Sequence, residues 1–255
     1  MHSDPQSLSR RLTLSGLGFV VILFGASHTT AQNSPVRGKV EVTNFAAAKQ
    51  SSSASRALSA AEVVVWLSPM DADSDTPSSS SSSAQLQLIQ RNKSFEPHVL
   101  AVRVGSVVQF PNKDPFFHNV FSLFDGKRFD LGLYEAGSSN SVRFDRPGIS
   151  YLFCNIHPEM SAIVIAVPTS FFAITDASGQ WTIPNIPDGR YRLHLWYERS
   201  SPEDLEKLQR DVVISETARL VELIRVAATA APNSAHKNKY GKDYVPPSSP
   251  AYSNP

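Results

Sequence analysis

Short apolar runs, broken every few positions by Gly, Pro, Asn or Asp, recur along most of this chain. Runs of this length with punctuated ends are the pattern of strands rather than of helices, whose apolar positions recur three and four residues apart. The pattern predicts strands over 37–42, 61–67, 86–90, 99–104, 107–110, 151–154 and 162–167. Further strands are predicted over 171–175, 179–183, 190–197, 211–215 and 220–226. One segment reads as a helix, 202–209, with Ser201 as its N-cap and Glu203, Asp204 and Glu206 early in it. Many short strands with turns between them predict an all-β sandwich protein.

Composition divides what lies between. Residues 51–61 are a Ser/Ala loop, and 71–84 are a Ser-rich linker carrying Pro77. The tail, 228–255, is proline-rich without apolar periodicity and is expected to be disordered. At the other end, Arg10-Arg11 precedes an apolar stretch from Leu12 to Ala26 and the small residues Thr29-Thr30-Ala31. That stretch is too short to span a membrane comfortably, so residues 1–31 are expected to be a signal peptide, of the Sec or twin-arginine type. The mature protein is then periplasmic or secreted, without a membrane span, and without a cysteine near position 31 for lipid attachment. A single cysteine excludes an intramolecular disulfide. A formal net charge of +1 argues against a nucleic-acid surface.

The chemistry concentrates in His118 and in Cys154-Asn155-Ile156-His157-Pro158-Glu159-Met160. Two imidazoles, a thiolate and a thioether are the ligand set of a type 1, or blue, copper electron-transfer site. Cys154, His157 and Met160 would share one short loop, while His118 comes from far upstream, so the fold rather than the loop alone would fix the geometry. Each residue also has a plainer role: Cys154 and Met160 as core fillers, His157 as a capped loop residue. Those roles fail jointly, since Cys154 is the only cysteine and Met160 one of three methionines. Zinc prefers a closed tetrahedral set without a thioether. A Cys-His nucleophile pair would leave Met160 and His118 unexplained.

These residues carry a resemblance to the cupredoxins, closest in loop spacing to the plastocyanin and amicyanin branch. Phe95-Glu96-Pro97, Val102, Val104, Gly105 and Val107 to Asn112 resemble the strands before the first ligand. Phe117-His118-Asn119-Val120 resembles the first-ligand segment. Val142-Arg143-Phe144, Pro147-Gly148 and Tyr151 to Cys154 resemble the strand carrying the thiolate. The resemblance covers residues 85–168. It implies that Asn119 steadies the ligand loop and hydrogen-bonds near the Cys154 sulfur.

A second resemblance runs through Phe172 to Trp181 and Ile183 to Tyr191, with an Asp176-x-x-Gly179 turn and a Pro187-x-Gly189 turn. It is to the carboxypeptidase regulatory-like, or transthyretin-like, β-sandwich. Such domains open with strands like Gly38-Lys39-Val40 and Ala61-Glu62-Val63-Val64-Val65, which here precede the cupredoxin-like segment. The expected organisation is therefore a discontinuous sandwich, 35–70 and 169–227, with the copper domain 85–168 inserted. Counting strand directions brings the two ends of the insert together at the end opposite copper, as an inserted domain requires.

Two function classes follow. The first is a one-electron carrier holding one copper ion and exchanging electrons with a redox donor and acceptor through the His157 ring. The second is a copper-binding or surface-interaction protein whose sandwich binds a partner or polymer and whose copper is structural or cargo. Nothing in the sequence points to an enzyme. His98, His194 and His236 read as satisfied or solvated side chains, and Asp114, Asp125, Asp130 and Glu135 as a solvated surface.

Overall fold

The structure, a computed structural model, describes residues 34–44, 59–71, 85–123, 126–229 and 236–244. The expected signal segment, most of the Ser-rich linker and the rest of the tail lie outside them. The order of elements is β1 (Val36–Asn44), β2 (Val64–Pro69), β3 (Ile89–Arg91), β4 (Ser94–Glu96), β5 (Val99–Arg103) and β6 (Val107–Pro111). Then come β7 (His118–Ser122), β8 (Phe129–Tyr134), β9 (Ser139–Arg143), β10 (Gly148–Phe153), β11 (Ser161–Val167) and β12 (Phe172–Ile174). The chain continues through β13 (Gln180–Ile183), β14 (Gly189–Trp196), α1 (Pro202–Lys207), β15 (Arg210–Ile214) and β16 (Ile224–Ala228). The fold is all-β, as the periodicity predicts. None of the described helices is long and apolar enough to cross a membrane.

Three larger sheets have the orders β13-β1-β16, β12-β2-β14-β15 and β5-β11-β10-β7-β8, and two further pairs are β3-β4 and β6-β9. Pairing is antiparallel except for β1 with β16 and β5 with β11. The helix starts where the sequence places it. Ser201 Oγ accepts the Asp204 N–H at 3.1 Å, but the helix ends at Lys207, because Leu208 already caps it. The turn at Asp176 follows the expected chemistry, its carboxylate accepting the backbone N–H of Ser178 and Gln180. Gly38 lies across from Trp181, whose ring would be 2.4 Å from a Cβ there, so only glycine lets the two strands close.

Four strands escape the apolar pattern: β4, β7, β8 and β9. β9 is Ser-Asn-Ser-Val-Arg, nearly all polar, and β8 is an edge strand broken by a register shift against β7. Edge strands bury little, so they need little apolar alternation. Val142-Arg143-Phe144 also belongs elsewhere than expected. Val142 and Arg143 end β9, which pairs with β6, and the thiolate-bearing strand β10 begins only at Gly148.

Apolar side chains form two cores. One gathers Val36, Val65, Leu67, Trp181, Tyr191, Leu193, Trp196 and Ile224; the other gathers Leu88, Phe110, Val120, Phe144, Leu152, Cys154 and Met160. Strands β5 and β11 serve both. Val99, Ala101, Ile163, Ile165 and Val167 face the first core, while Val102, Ala162, Val164 and Ala166 face the second. Alternate side chains of a strand point to opposite faces, so this sheet is buried on both sides there.

Candidate metal centre

The centre is assembled from the hairpin outward. Asn92 and Lys93 link β3 to β4 with φ of 53° at both, the twist-matched two-residue turn of a hairpin. Their N–H groups both point at the Asp114 carboxylate, at 2.7 and 2.9 Å. The Asn112 amide oxygen accepts the Asp114 N–H, and its NH2 donates to Phe116 O, which bends the chain ahead of β7. Asp114 so fixed accepts a hydrogen bond from His118 Nε2 at 2.8 Å, with both side chains buried. A carboxylate can only accept, so Nε2 carries the proton, and in the neutral ring this tautomer leaves the Nδ1 lone pair for a metal ion. Burial pushes the Asp114 carboxyl up, but the Lys93 N–H, the His118 ring and the Asn92 N–H outweigh it and hold the group below its ordinary range.

The other donors come from the loop after β10. Cys154 N–H donates to Met160 O at 3.3 Å and Met160 N–H to His157 O at 3.1 Å, which folds the loop on itself. Cys154 is fully buried. Burial pushes its thiol up, opposed by the backbone N–H groups of Ile156, Asn119 and His157, which point to the sulfur. A bound metal ion overrides the burial and deprotonates such a thiol outright. The Asn119 side chain joins the two ligand segments: its oxygen accepts the Asn155 N–H, and its NH2 donates to Asp130 at 2.7 Å and to Gly132 O at 2.9 Å.

Three donor atoms meet. Cys154 Sγ lies 3.9 Å from His118 Nδ1 and 3.6 Å from His157 Nδ1, and the two nitrogens are 3.1 Å apart. A point in their plane equidistant from all three is about 2.1 Å from each, close to metal–imidazole distances and slightly short of metal–thiolate ones. His157 is held below the ordinary imidazole range, first by burial and then by His118 beside it. Two ring nitrogens 3.1 Å apart and facing each other suit a shared cation. Among the described residues, His118, Cys154 and His157 are the one group of three such side chains close enough to hold a metal ion. Met160 is fully buried on the same turn. The Phe116 ring packs against both imidazoles, at 5.2 and 5.6 Å. His157 is half-buried, flanked by exposed Ile156 and Pro158.

Asp114 corrects the sequence reading: it is buried on His118 rather than part of a solvated surface. Asp130 and Glu135 are exposed as expected, although Asp130 also anchors Asn119, and Asp125 lies outside the described residues. The Asn112-Lys113-Asp114-Pro115 turn signal stood in the sequence, but no spacing rule tied it to His118. Residues 236–244, which the sequence reading placed in a disordered tail, lie against the loop after β10.

No protein-family model matches the sequence, and no curated protein does. Among solved structures the chain is similar to a purple cupredoxin from Nitrosopumilus maritimus, 23% identical over 32% of this chain and 100% of that one, with a TM-score of 0.30. It is also similar to a Cu(I) form of an amicyanin variant, 20% identical over 32% of this chain and 82% of that one, at 0.31. A second, reduced amicyanin variant is 20% identical over 33% of this chain and 84% of that one, at 0.32.

Proposed function

We propose that the protein is an exported one-electron carrier with a single type 1 copper, which His118, Cys154, His157 and Met160 would hold. The observation that carries this reading is the donor triangle of two Nδ1 atoms and one Sγ, two of its three residues fully buried. Copper bound there would supply a Cu(I)/Cu(II) couple. The chain supplies the rest. Asp114 and the β3–β4 turn fix the His118 ring, three backbone N–H groups face the sulfur, and the side chain of Asn119 ties loop to strand, so little moves when charge changes. The half-buried edge of His157, beside exposed Ile156 and Pro158, is the route by which a redox protein would exchange electrons.

In this reading residues 85–168 are the copper domain, and 35–70 with 169–227 are the carboxypeptidase regulatory-like sandwich that carries it. Cys154 has no exposed surface, which suits a buried ligand rather than an enzymatic nucleophile. The copper-loaded protein should show intense visible thiolate-to-copper absorption and a reversible one-electron wave in voltammetry. A colourless copper adduct without a reversible wave would favour structural or cargo copper instead.

A further inference from the structure

The five-stranded sheet has a face that neither core covers along its whole length. Phe121 on β7 and Phe153 on β10 are 1% and 4% exposed, yet they belong to neither core. They touch each other, with ring centroids 5.9 Å apart. The cover comes from the tail. The His236 ring stacks on Phe153 at 3.9 Å, nearly parallel, and its Nε2–H donates to Pro158 O at 2.9 Å.

The rest of this segment is built, not draped. The Asn238 side chain accepts the N–H groups of Tyr240 and Lys242, and the Gly241 N–H donates to Asn238 O. Gly241 has a φ of +73°, which glycine adopts without cost, so 238–242 is a closed turn. From this turn Lys239 N–H donates to the Asn155 side chain at 3.0 Å, and Lys239 Nζ reaches Asp130 at 2.7 Å. Asp130 is the same carboxylate that holds Asn119. The Tyr244 hydroxyl donates to Cys154 O at 2.6 Å and lies 3.1 Å from His236 Nδ1.

Taken together, 236–244 grips the ligand loop at Cys154 O, Asn155 and Pro158 O, and grips its Asn119 brace through Asp130. We infer that residues 236–244 are a strap that holds the ligand loop in its metal-binding shape, with Tyr244, His236 and Lys239 as positioning residues. The inference rests on the copper reading for its purpose, but the strap itself consists of contacts within the chain. A preformed loop reduces the ordering that binding would otherwise demand and resists the rearrangement that would let Cu(I) escape. The contact with a ligand residue is through the Cys154 carbonyl, so it acts on the backbone of the loop and leaves the sulfur free.

The test compares the full chain with Tyr244→Phe and with a chain ending at residue 235. In metal-free protein, amide exchange is read at Cys154 and Met160, whose N–H groups close the loop, and at β1 and β14 as remote references. Loss of one typical hydrogen bond corresponds to roughly fivefold in the opening equilibrium. Tyr244→Phe should therefore speed exchange at Cys154 and Met160 about fivefold, the shortened chain more, with β1 and β14 unchanged. In copper-loaded protein, release of Cu(I) to excess bicinchoninate should quicken in the same order. Unchanged exchange at Cys154 and Met160 in both variants overturns the strap. Equal acceleration at β1 and β14 also overturns it, as that would be global destabilisation. If the wild-type protein gives no thiolate-to-copper band, the copper reading fails while the exchange measurement still decides the strap.

Discussion

The core of Tyr191, Leu193 and Trp196 and the core of Phe110, Leu152 and Met160 share strands β5 and β11, but they handle polarity in different ways. Most of the buried polar side chains among the described residues, Gln90, Asn112, Asp114, His118, Asn119, Ser122 and Ser150, lie in the segment that builds the candidate metal centre. Among the described residues, the other side buries Thr169, Thr175 and Ser200. Burying a polar group is costly unless it is hydrogen-bonded, so such groups persist where a fixed geometry is needed. One side of the molecule is packed for stability, and the other uses its interior to orient donors.

The largest effect should come from separating the two. Excising 85–168 and joining the flanks with a short Gly/Ser bridge removes Val99, Ala101, Ile163, Ile165 and Val167 from the first core. At about 1.5–3 kcal/mol for each large apolar side chain whose cover is lost, the joined flanks should stay β by circular dichroism but melt far below the intact chain. Flanks that show no amide protection would mean one cooperative β unit rather than an inserted domain.

Changes at the centre should leave the first core intact. Cys154→Ser should abolish the visible absorption and weaken Cu(I) binding severely, because the thiolate is the soft ligand of the set. A native spectrum in that variant would remove Cys154 from the site. Asp114→Ala should cost about 10–100-fold in copper affinity by freeing the His118 ring, measurable by competition with a chelator, while the melting of the first core stays unchanged. Met160→Leu should retain copper and raise the potential, since losing a weak axial donor favours Cu(I). A one-electron potential moves about 59 mV for each tenfold change in relative affinity. An unchanged potential would mean that Met160 does not face the metal.

The smallest effect lies between the two regions. His98, just ahead of β5, meets Glu198, just after β14, at 3.0 Å, and its other nitrogen faces Ser161 O. Glu198 raises the His98 pKa most, against burial, with Glu62 adding to it. A histidine raised in the folded state adds stability that is full below the unfolded value near 6.5 and is lost as pH rises through the folded value. Stability should therefore fall from pH 6 to pH 9 by less than about 1 kcal/mol, given solvent screening. His98→Gln should remove that slope in urea titrations, and an unchanged slope would place its origin elsewhere.

The sequence by itself determined the all-β class, the N-cap at Ser201, the turn at Asp176 and the candidacy of His118, Cys154, His157 and Met160. These follow from local periodicity, local hydrogen bonding and the rarity of the residue types. Only the tertiary structure decided that Asp114 rests on His118, that β5 and β11 face two cores, that polar β9 is a strand, and that 236–244 closes over the ligand loop. Asp114 and His118 stand four residues apart, but it is the distant Asn92–Lys93 turn that fixes the carboxylate. The other outcomes likewise depend on partners far apart in the chain, whose meeting leaves no period or spacing to read. Asp114 and Tyr244 look like solvated residues in sequence because what keeps them in place is hydrogen bonding to another part of the fold.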